Sequence, residues 1–353
     1  MITVNYGKDW VQTTYETLEA SDISSYLEPG MAVGIKPNLV VPRPPGEGAT
    51  THPEVVEGII KYLTDFGIKN ISVMESSSVG QSTMSAYKVC GYQGLAENYG
   101  VPLIDLKQGS FRTLRYLDLD IQIAEAALET DFLINVPVLK AHCQTRLTCC
   151  MKNLKGCIPE SEMRRFHSIG LHKPIAALSA LLPAHYCVVD GICGDLSFEE
   201  GGSPVEANRI ITGRDPVQID SFCAELIGYT PKEIGYLLHA ERNSLGKFFS
   251  EETEVRELNS DRKPARQQKS ARLSERYRSR QSNIMEDSAC SVCYAALIYA
   301  LHRSGGNSKK ICIGQGFKGK TEDAIGIGNC TSGFSKHIKG CPPKATAIME
   351  AFR

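Results

Sequence analysis

Met31-Ala-Val-Gly-Ile-Lys36-Pro-Asn38-Leu-Val-Val41 and Asn70-Ile-Ser-Val-Met-Glu75 are two short apolar runs that bracket a helix-patterned segment. The first is a buried strand with a Lys and an Asn at its end. A Pro/Gly-rich loop follows from Pro42 to Gly48, and then Thr50-Thr51-His52-Pro53-Glu54, where Thr51 or His52 caps a helix with Pro at its first position. Residues 54–66 have helical periodicity, Gly67 ends the helix, and Asn70–Glu75 is the next strand. Strand, helix and strand in this order predict a right-handed parallel crossover.

The same grammar extends in both directions. Residues 1–29 read as a strand and a short amphipathic helix. Residues 84–100 read as a helix, and Val101–Leu106, Asp131–Val136 and His185–Gly191 as strands. Ile210-Ile-Thr-Gly213-Arg-Asp215-Pro216 is a strand and turn into a helix capped by Asp215. The fold class is α/β, a mostly parallel sheet with flanking helices.

In such sheets ligands bind beyond the carboxyl ends of the strands, and chemistry-bearing residues gather there. Glu75-Ser76-Ser-Ser-Val-Gly80-Gln-Ser82 is a Ser/Gly-rich turn that can offer backbone amides to an anion, but it matches neither nucleotide-binding fingerprint. After Asp131–Val136 come Lys140, His142, Arg146, Lys152, Asn153, Gly156, Arg164, Arg165 and His167. A Lys and a His two apart after a strand end suit acid–base work or the holding of carboxylate and phosphate. Lys140, His142, Lys152 and His167 are the candidate catalytic residues. Lys36, Asn38, Glu75, Ser76, Asn153 and Asp190 are the candidate substrate-binding residues.

The 353 residues suffice for two domains. A net charge of −1 gives no field that points to nucleic acid, and no apolar run spans a bilayer. The N-terminus lacks signal-peptide character, so a cytoplasmic protein is expected. Thirteen cysteines, an odd and large number, read in a reducing compartment as metal ligands or small buried hydrophobes rather than disulfides, and they suit an oxygen-poor setting.

Four of them lie near the C-terminus beside turn-forming residues. Cys290-Ser-Val-Cys293 opens an apolar-faced helix, which puts both sulfurs on one face and favours thiolate. Cys330 follows a short strand, and Gly340-Cys341-Pro342-Pro343 is a fixed turn. Cys290, Cys293, Cys330 and Cys341 are therefore expected to hold a 4Fe-4S cluster, with zinc the competing occupant. Cys312 is expected to lie buried within a strand. Cys143, Cys149, Cys150 and Cys157 form a second run that could hold another metal, although adjacent cysteines rarely ligate one cluster.

Two resemblances bear on these readings. CxxC, Gly-x-Cys after a strand and Gly-Cys-Pro-Pro together resemble the proximal-cluster domain of nickel–iron hydrogenase small subunits. This implies a smaller flavodoxin-like α/β module with a 4Fe-4S cluster for electron transfer; no nickel-site partner, and so no hydrogenase, is implied. Residues 31–228 resemble domain of unknown function 362, on Gly34-Ile-Lys36-Pro-Asn38, Val73-Met-Glu75-Ser76, Val138-Leu-Lys140-Ala-His142, Met151-Lys152-Asn153-Leu-Lys-Gly156, Val188-Val-Asp190-Gly191 and Gly213-Arg-Asp215-Pro-Val-Gln-Ile-Asp220. This implies an α/β domain with a cluster partner and no settled reaction. Ferredoxin-type CxxCxxC motifs of other members are missing, so a two-cluster module is not expected.

The expected organisation is an α/β domain over 1–249, a charged linker or helical arm over 250–287, and an iron–sulfur module over 288–353. The expected function is that of a redox enzyme, an oxidoreductase, or an electron-transfer protein acting on a small anionic substrate or with a redox partner protein; homo-oligomers are left open. A hydration or isomerisation enzyme with a structural or Lewis-acid cluster, and an accessory protein for another metalloenzyme, are the alternatives.

Overall fold

The computed structural model describes residues 1–196, 201–263, 281–305 and 309–352. Eight strands form the main sheet: β1 (Ile2–Tyr6), β2 (Ala32–Pro37), β3 (Asn70–Glu75), β4 (Leu103–Asp105), β5 (Phe132–Val136), β6 (Tyr186–Asp195), β7 (Pro204–Gly213) and β8 (Val255–Leu258). Their spatial order is β8-β1-β7-β6-β5-β2-β3-β4. β7 runs against both of its neighbours, and every other pairing is parallel. Apolar clusters cover both faces. One centres on Leu133, Val189 and Ile211, the other on Ile35, Ile59 and Val73.

The crossover that opens the sheet forms as the residue pattern requires. Gly34 pairs with Ser72 across β2 and β3, and the helix Pro53–Phe66 lies between them in sequence and ends at Gly67 with φ +98°. The chain then steps outward from β2 to β3 and β4 and returns to the other side of β2 as β5. This reversal opens a crevice at the carboxyl ends of β2 and β5, the switch point where doubly wound sheets bind ligands.

A second sheet of four parallel strands, β9 (Ile284–Glu286), β10 (Ile311–Ile313), β11 (Ile325–Ile327) and β12 (Lys336–Ile338), pairs in sequence order. The helices Ser291–Ser304 and Ala345–Ala351 pack on it around Leu297, Ile313 and Ile348. Cys312 lies buried in β10, as expected.

Three expectations need correction. Residues 84–100 are two helices, Thr83–Val89 and Tyr92–Tyr99, broken at Gly91, whose φ of +84° no helix interior adopts. His52 is the N-cap residue of its helix but makes no side-chain cap; its ring turns to Asp190 instead. The charged stretch 250–287 is not simply a linker. It contributes β8, which pairs in parallel with β1, and β9 of the second sheet, while 264–280 lie outside the described residues. An edge strand needs only backbone partners and tolerates charged side chains, so composition concealed β8.

Candidate functional site

The polar floor of the switch-point crevice is built from strand ends. Lys36, at the end of β2, is fully buried, and its Nζ donates to both carboxylate oxygens of Glu75 at 2.9 Å and to the Pro37 carbonyl at 2.7 Å. Glu75, the last residue of β3, also accepts from the Leu39 and Ser76 amides at 2.9 and 2.7 Å. Burial raises its carboxyl above the ordinary value, against the pull of Lys36 and these amides. Asn153 ties the floor together. Its amide donates to the Lys36 and Pro37 carbonyls and to Asn135 Oδ1, and its oxygen accepts from Asn38 at 2.8 Å. Lys140 Nζ reaches Asn38 Oδ1 at 3.3 Å and the Ala49 carbonyl at 2.5 Å.

Gly156 is needed here for contact distance. A Cβ at this position would lie 1.9 Å from Glu75 Oε1 and 2.6 Å from Lys36 Nζ, so only glycine lets this turn lie on the ion pair.

Above the floor is a cavity of about 580 Å³. Asn38, Glu75, Ser76, Lys140, His142, Lys152, Asn153 and His167 line it, together with Lys155, Gly156, Arg164, Cys290 and Val292. Eight of the ten candidate catalytic and substrate residues thus meet in one wall. The other two do not. Lys36 lies beneath the wall and acts on it through Glu75. Asp190 holds His52, accepting from its Nδ1 and its backbone N–H at 2.8 Å each, and accepts from the Ile192 N–H at 3.0 Å. Burial works against charging the His52 ring, yet the Asp190 carboxylate overrides it and lifts the imidazole to about 10.

The two cavity histidines are both held neutral. Burial, followed by Lys152, Lys155, His167 and Lys140, keeps His142 well below its usual value. Its Nδ1 accepts the backbone N–H groups of Gln144 and Thr145 at 3.1 and 3.2 Å, which puts its proton on Nε2. Burial and the ammoniums of Lys155 and Lys152 bring His167 down to about 3. Lys155 Nζ can only donate, so His167 Nε2 accepts from it at 3.0 Å and Nδ1–H donates to Ser291 Oγ at 2.7 Å. Ser291 in turn donates to Gln144 Oε1 at 2.6 Å, and Gln144 Nε2 donates to Glu286 Oε1 at 2.9 Å and the Ala289 carbonyl at 3.0 Å. This chain of bonds docks the second sheet's module beside the cavity.

Cys290 N-caps the helix Ser291–Ser304, and Cys293 lies in its first turn. Cys330 follows β11, and Cys341 precedes a cis proline. The four are electrostatic neighbours. Burial raises the Cys290 and Cys293 thiols, Cys293 to about 11, and Cys330 and Cys341 add to both shifts. Cys290 also donates to the Ser168 carbonyl at 3.0 Å.

The second cysteine run does not stay together. Cys149 and Cys150 adjoin each other in the core, and burial beside the Lys36–Glu75 pair pushes Cys157 up to about 12. Cys143 is half-buried, and its carbonyl accepts from Gln281 at 3.5 Å.

Lys155, Ser291 and Gln144 were not singled out from the sequence. Lys155 stands three residues after Lys152, the spacing that puts two side chains on one helical face, and that signal was available. Nothing local marks Ser291 or Gln144 as an interface pair.

Residues 33–225 match the family described as a domain of unknown function, DUF362. The chain belongs to that family. All of the cavity wall except Cys290 and Val292 comes from the family segment. A thylakoid-associated protein of Synechocystis sp. is 25% identical over 242 residues, which are 65% of this chain and 74% of that protein. The lactate racemase apoprotein from Thermoanaerobacterium thermosaccharolyticum superposes with a TM-score of 0.41 at 14% identity, over 69% of this chain and 57% of that one. A Thermotoga maritima protein gives 0.37 at 14% identity, over 52% and 51%. At these scores neither structure bears on function. Among the described residues no helix is long and apolar enough to cross a membrane.

Proposed function

We propose that the chain holds a 4Fe-4S cluster on Cys290, Cys293, Cys330 and Cys341 and serves a redox reaction or electron transfer on a small anion in the adjoining cavity. The observation that carries this reading is the position of Cys290. It belongs to the C-terminal cysteine group and is also part of the wall that holds Lys140, His142 and Lys152.

The donor set suits a cluster. Four thiols converge from a helix start and two loops, with no carboxylate or imidazole among them. Zinc also takes four thiolates and is the competing occupant.

When bound, the cluster supplies single electrons. The protein's own groups do the rest. Lys140, Lys152 and Arg164 give the cavity a positive wall that selects an anion. Ser76 Oγ, buried in that wall with no hydrogen-bond partner among the described residues, offers the ligand a further contact. His142, neutral with its proton on Nε2, serves as a hydrogen-bond donor to a ligand oxygen rather than as an acid. The proton that accompanies an electron is therefore assigned to the Lys152 ammonium. His167 has both ring nitrogens engaged and acts as a positioning residue for the module. Cys341 is exposed and leaves the cluster within reach of a partner protein.

The test is anaerobic purification with iron and sulfide analysis, and EPR after dithionite reduction, on the wild type and Cys341→Ser. Equal iron and acid-labile sulfide at the level of one 4Fe-4S cluster are expected, with the reduced signal lost or converted in the variant. A preparation without iron, its four C-terminal cysteines occupied by zinc, would end this reading.

A further inference from the structure

A second group of sulfurs lies in the core and does not line the cavity. Cys149 and Cys150 open the short helix Cys150–Asn153, Cys187 belongs to β6, and Asp220 and Cys223 lie on the helix Pro216–Leu226. All five are fully buried. Cys149 Sγ and Cys150 Sγ are 3.8 Å apart, and a carboxylate oxygen of Asp220 lies within 4.8 Å of both. Cys223 adjoins Cys149 and Cys187 adjoins Cys150, each bearing on its neighbour's thiol.

Asp220 is the anomaly. Its carboxylate accepts the N–H groups of Cys150 and Met151 at 2.7 and 3.1 Å. Apart from these amides, the group that bears on it most is Cys149, which is itself an acid, while Arg209 bears on Cys223. A carboxylate at full burial needs a cation or a proton. Beside it lies Tyr236, also fully buried, whose hydroxyl bears on Asp220, Cys149 and Cys150.

We propose that Cys149, Cys150 and Asp220 form a buried site for one divalent ion of the zinc class, with Cys223 or Cys187 the adjacent fourth donor. The separation of 3.8 Å is the edge of a tetrahedron with metal–sulfur bonds of about 2.3 Å. Two thiolates and a carboxylate supply the mixed S/O donor set such an ion accepts, and its charge offsets most of theirs. The ligands come from segments 70 residues apart in sequence, so the ion is captured as the domain folds and stabilises it. The site is independent of the C-terminal cluster, and neither proposal falls with the other.

The test uses the full chain, grown with zinc and separately with cobalt(II), as wild type, Cys341→Ser, Cys149→Ser and Asp220→Asn. About one equivalent of zinc, and a sulfur-to-cobalt charge-transfer band in the near ultraviolet, should persist in Cys341→Ser. Asp220→Asn keeps the side chain's size and a carbonyl to accept the Cys150 N–H, and should weaken metal retention at least tenfold with the fold intact by circular dichroism. Should Cys149→Ser fail to fold, the wild type decides: its melting temperature must fall on treatment with a zinc chelator. A wild type without a zinc-class ion, equal metal content in Cys341→Ser and Asp220→Asn, or a melt indifferent to chelation overturns the proposal in favour of a protonated Asp220.

Discussion

Lys36→Met should destabilise the main domain by about 3–5 kcal/mol, the range for removing one partner from a buried ion pair. The structure puts this pair in that class. Lys36 is 0% exposed and Glu75 2%, and the ammonium meets both carboxylate oxygens at 2.9 Å. Methionine fills nearly the same volume, so little of the cost is a cavity. What remains is a carboxylate with two amide donors and no Lys36. Burial already places Glu75 above its ordinary 4.5, and the substitution moves it further up. A carboxyl whose pKa is raised by folding takes up a proton on folding. Its contribution is therefore most favourable below the unfolded value and is lost as pH rises through the folded one. The variant's deficit should accordingly grow with pH above about 4.5. Glu75→Gln should cost a similar amount by stranding the ammonium, whereas the double variant should recover part of it, with a coupling of at least about 2 kcal/mol. Urea unfolding followed by Trp10 fluorescence is the assay. It is the only tryptophan and lies in the main domain, its Nε1 near Asn208 Oδ1 and its ring against His52. Single variants that cost less than about 1 kcal/mol, as exposed pairs do, or strictly additive singles would refute the reasoning.

Further outcomes follow from the same geometry. Gly156→Ala drives a methyl to within 1.9 Å of Glu75 Oε1. It should cost about 1–3 kcal/mol by overpacking and weaken anion binding in the cavity, read by urea unfolding and by calorimetric titration. His52, raised from 6.5 to about 10, stabilises the fold fully below pH 6.5 and loses that contribution as pH rises through about 10; Asp190→Asn should flatten this alkaline loss, and NMR should show the ring still charged at pH 8. His167, lowered to about 3, has the opposite sign: folding favours its neutral form, so stability falls as pH drops from 6.5 through about 3. Hydrogen exchange at pH 4 should therefore show earlier opening around Ser291 than at pH 7, and an unchanged pattern would remove His167 from the docking contact.

Much of this was legible because it is periodic. Val33, Ile35, Ile71 and Val73 mark strands, and Gly67 marks a helix end. Asp215 with Pro216 announces a cap that the structure shows, with Asp215 accepting from Val217 at 2.8 Å. The candidate cavity residues were found for a related reason. They follow strand ends, and the switch point collects strand ends. What escaped has no local signature. β8 is a charged edge strand whose evidence is a backbone partner two hundred and fifty residues away. Asp190 looks like Glu75 in sequence, an acid after an apolar run. Only tertiary pairing, with His52 in one case and Lys36 in the other, puts one acid under the cavity and the other outside it. The core sulfurs are the extreme case. Cys149 and Cys150 meet Cys187 and Cys223 through packing of three separate elements, and no spacing rule joins them.

The division of labour in the cavity limits what the reaction can be. Lys36, Glu75, Asn38 and Asn153 satisfy one another and form a rigid, buried floor. Charges so placed fix the geometry of the wall above them. Among the cavity-lining groups not tied into that floor are Ser76, His142, Lys152 and Arg164 from the family segment, with Cys290 and Val292 from the module. On the proposed reading the family segment binds the anion, and among the described residues it brings no cysteine to the cavity wall. Cys290 is held at that wall by contacts that include Ser291 accepting from His167 and Gln315 donating to the Ser168 carbonyl at 2.6 Å. If the module holds the proposed cluster, binding and electron supply come from separable parts of the chain. Ser291→Ala should slow turnover more than it weakens anion affinity, and a loss confined to affinity would place the module's contribution in binding instead.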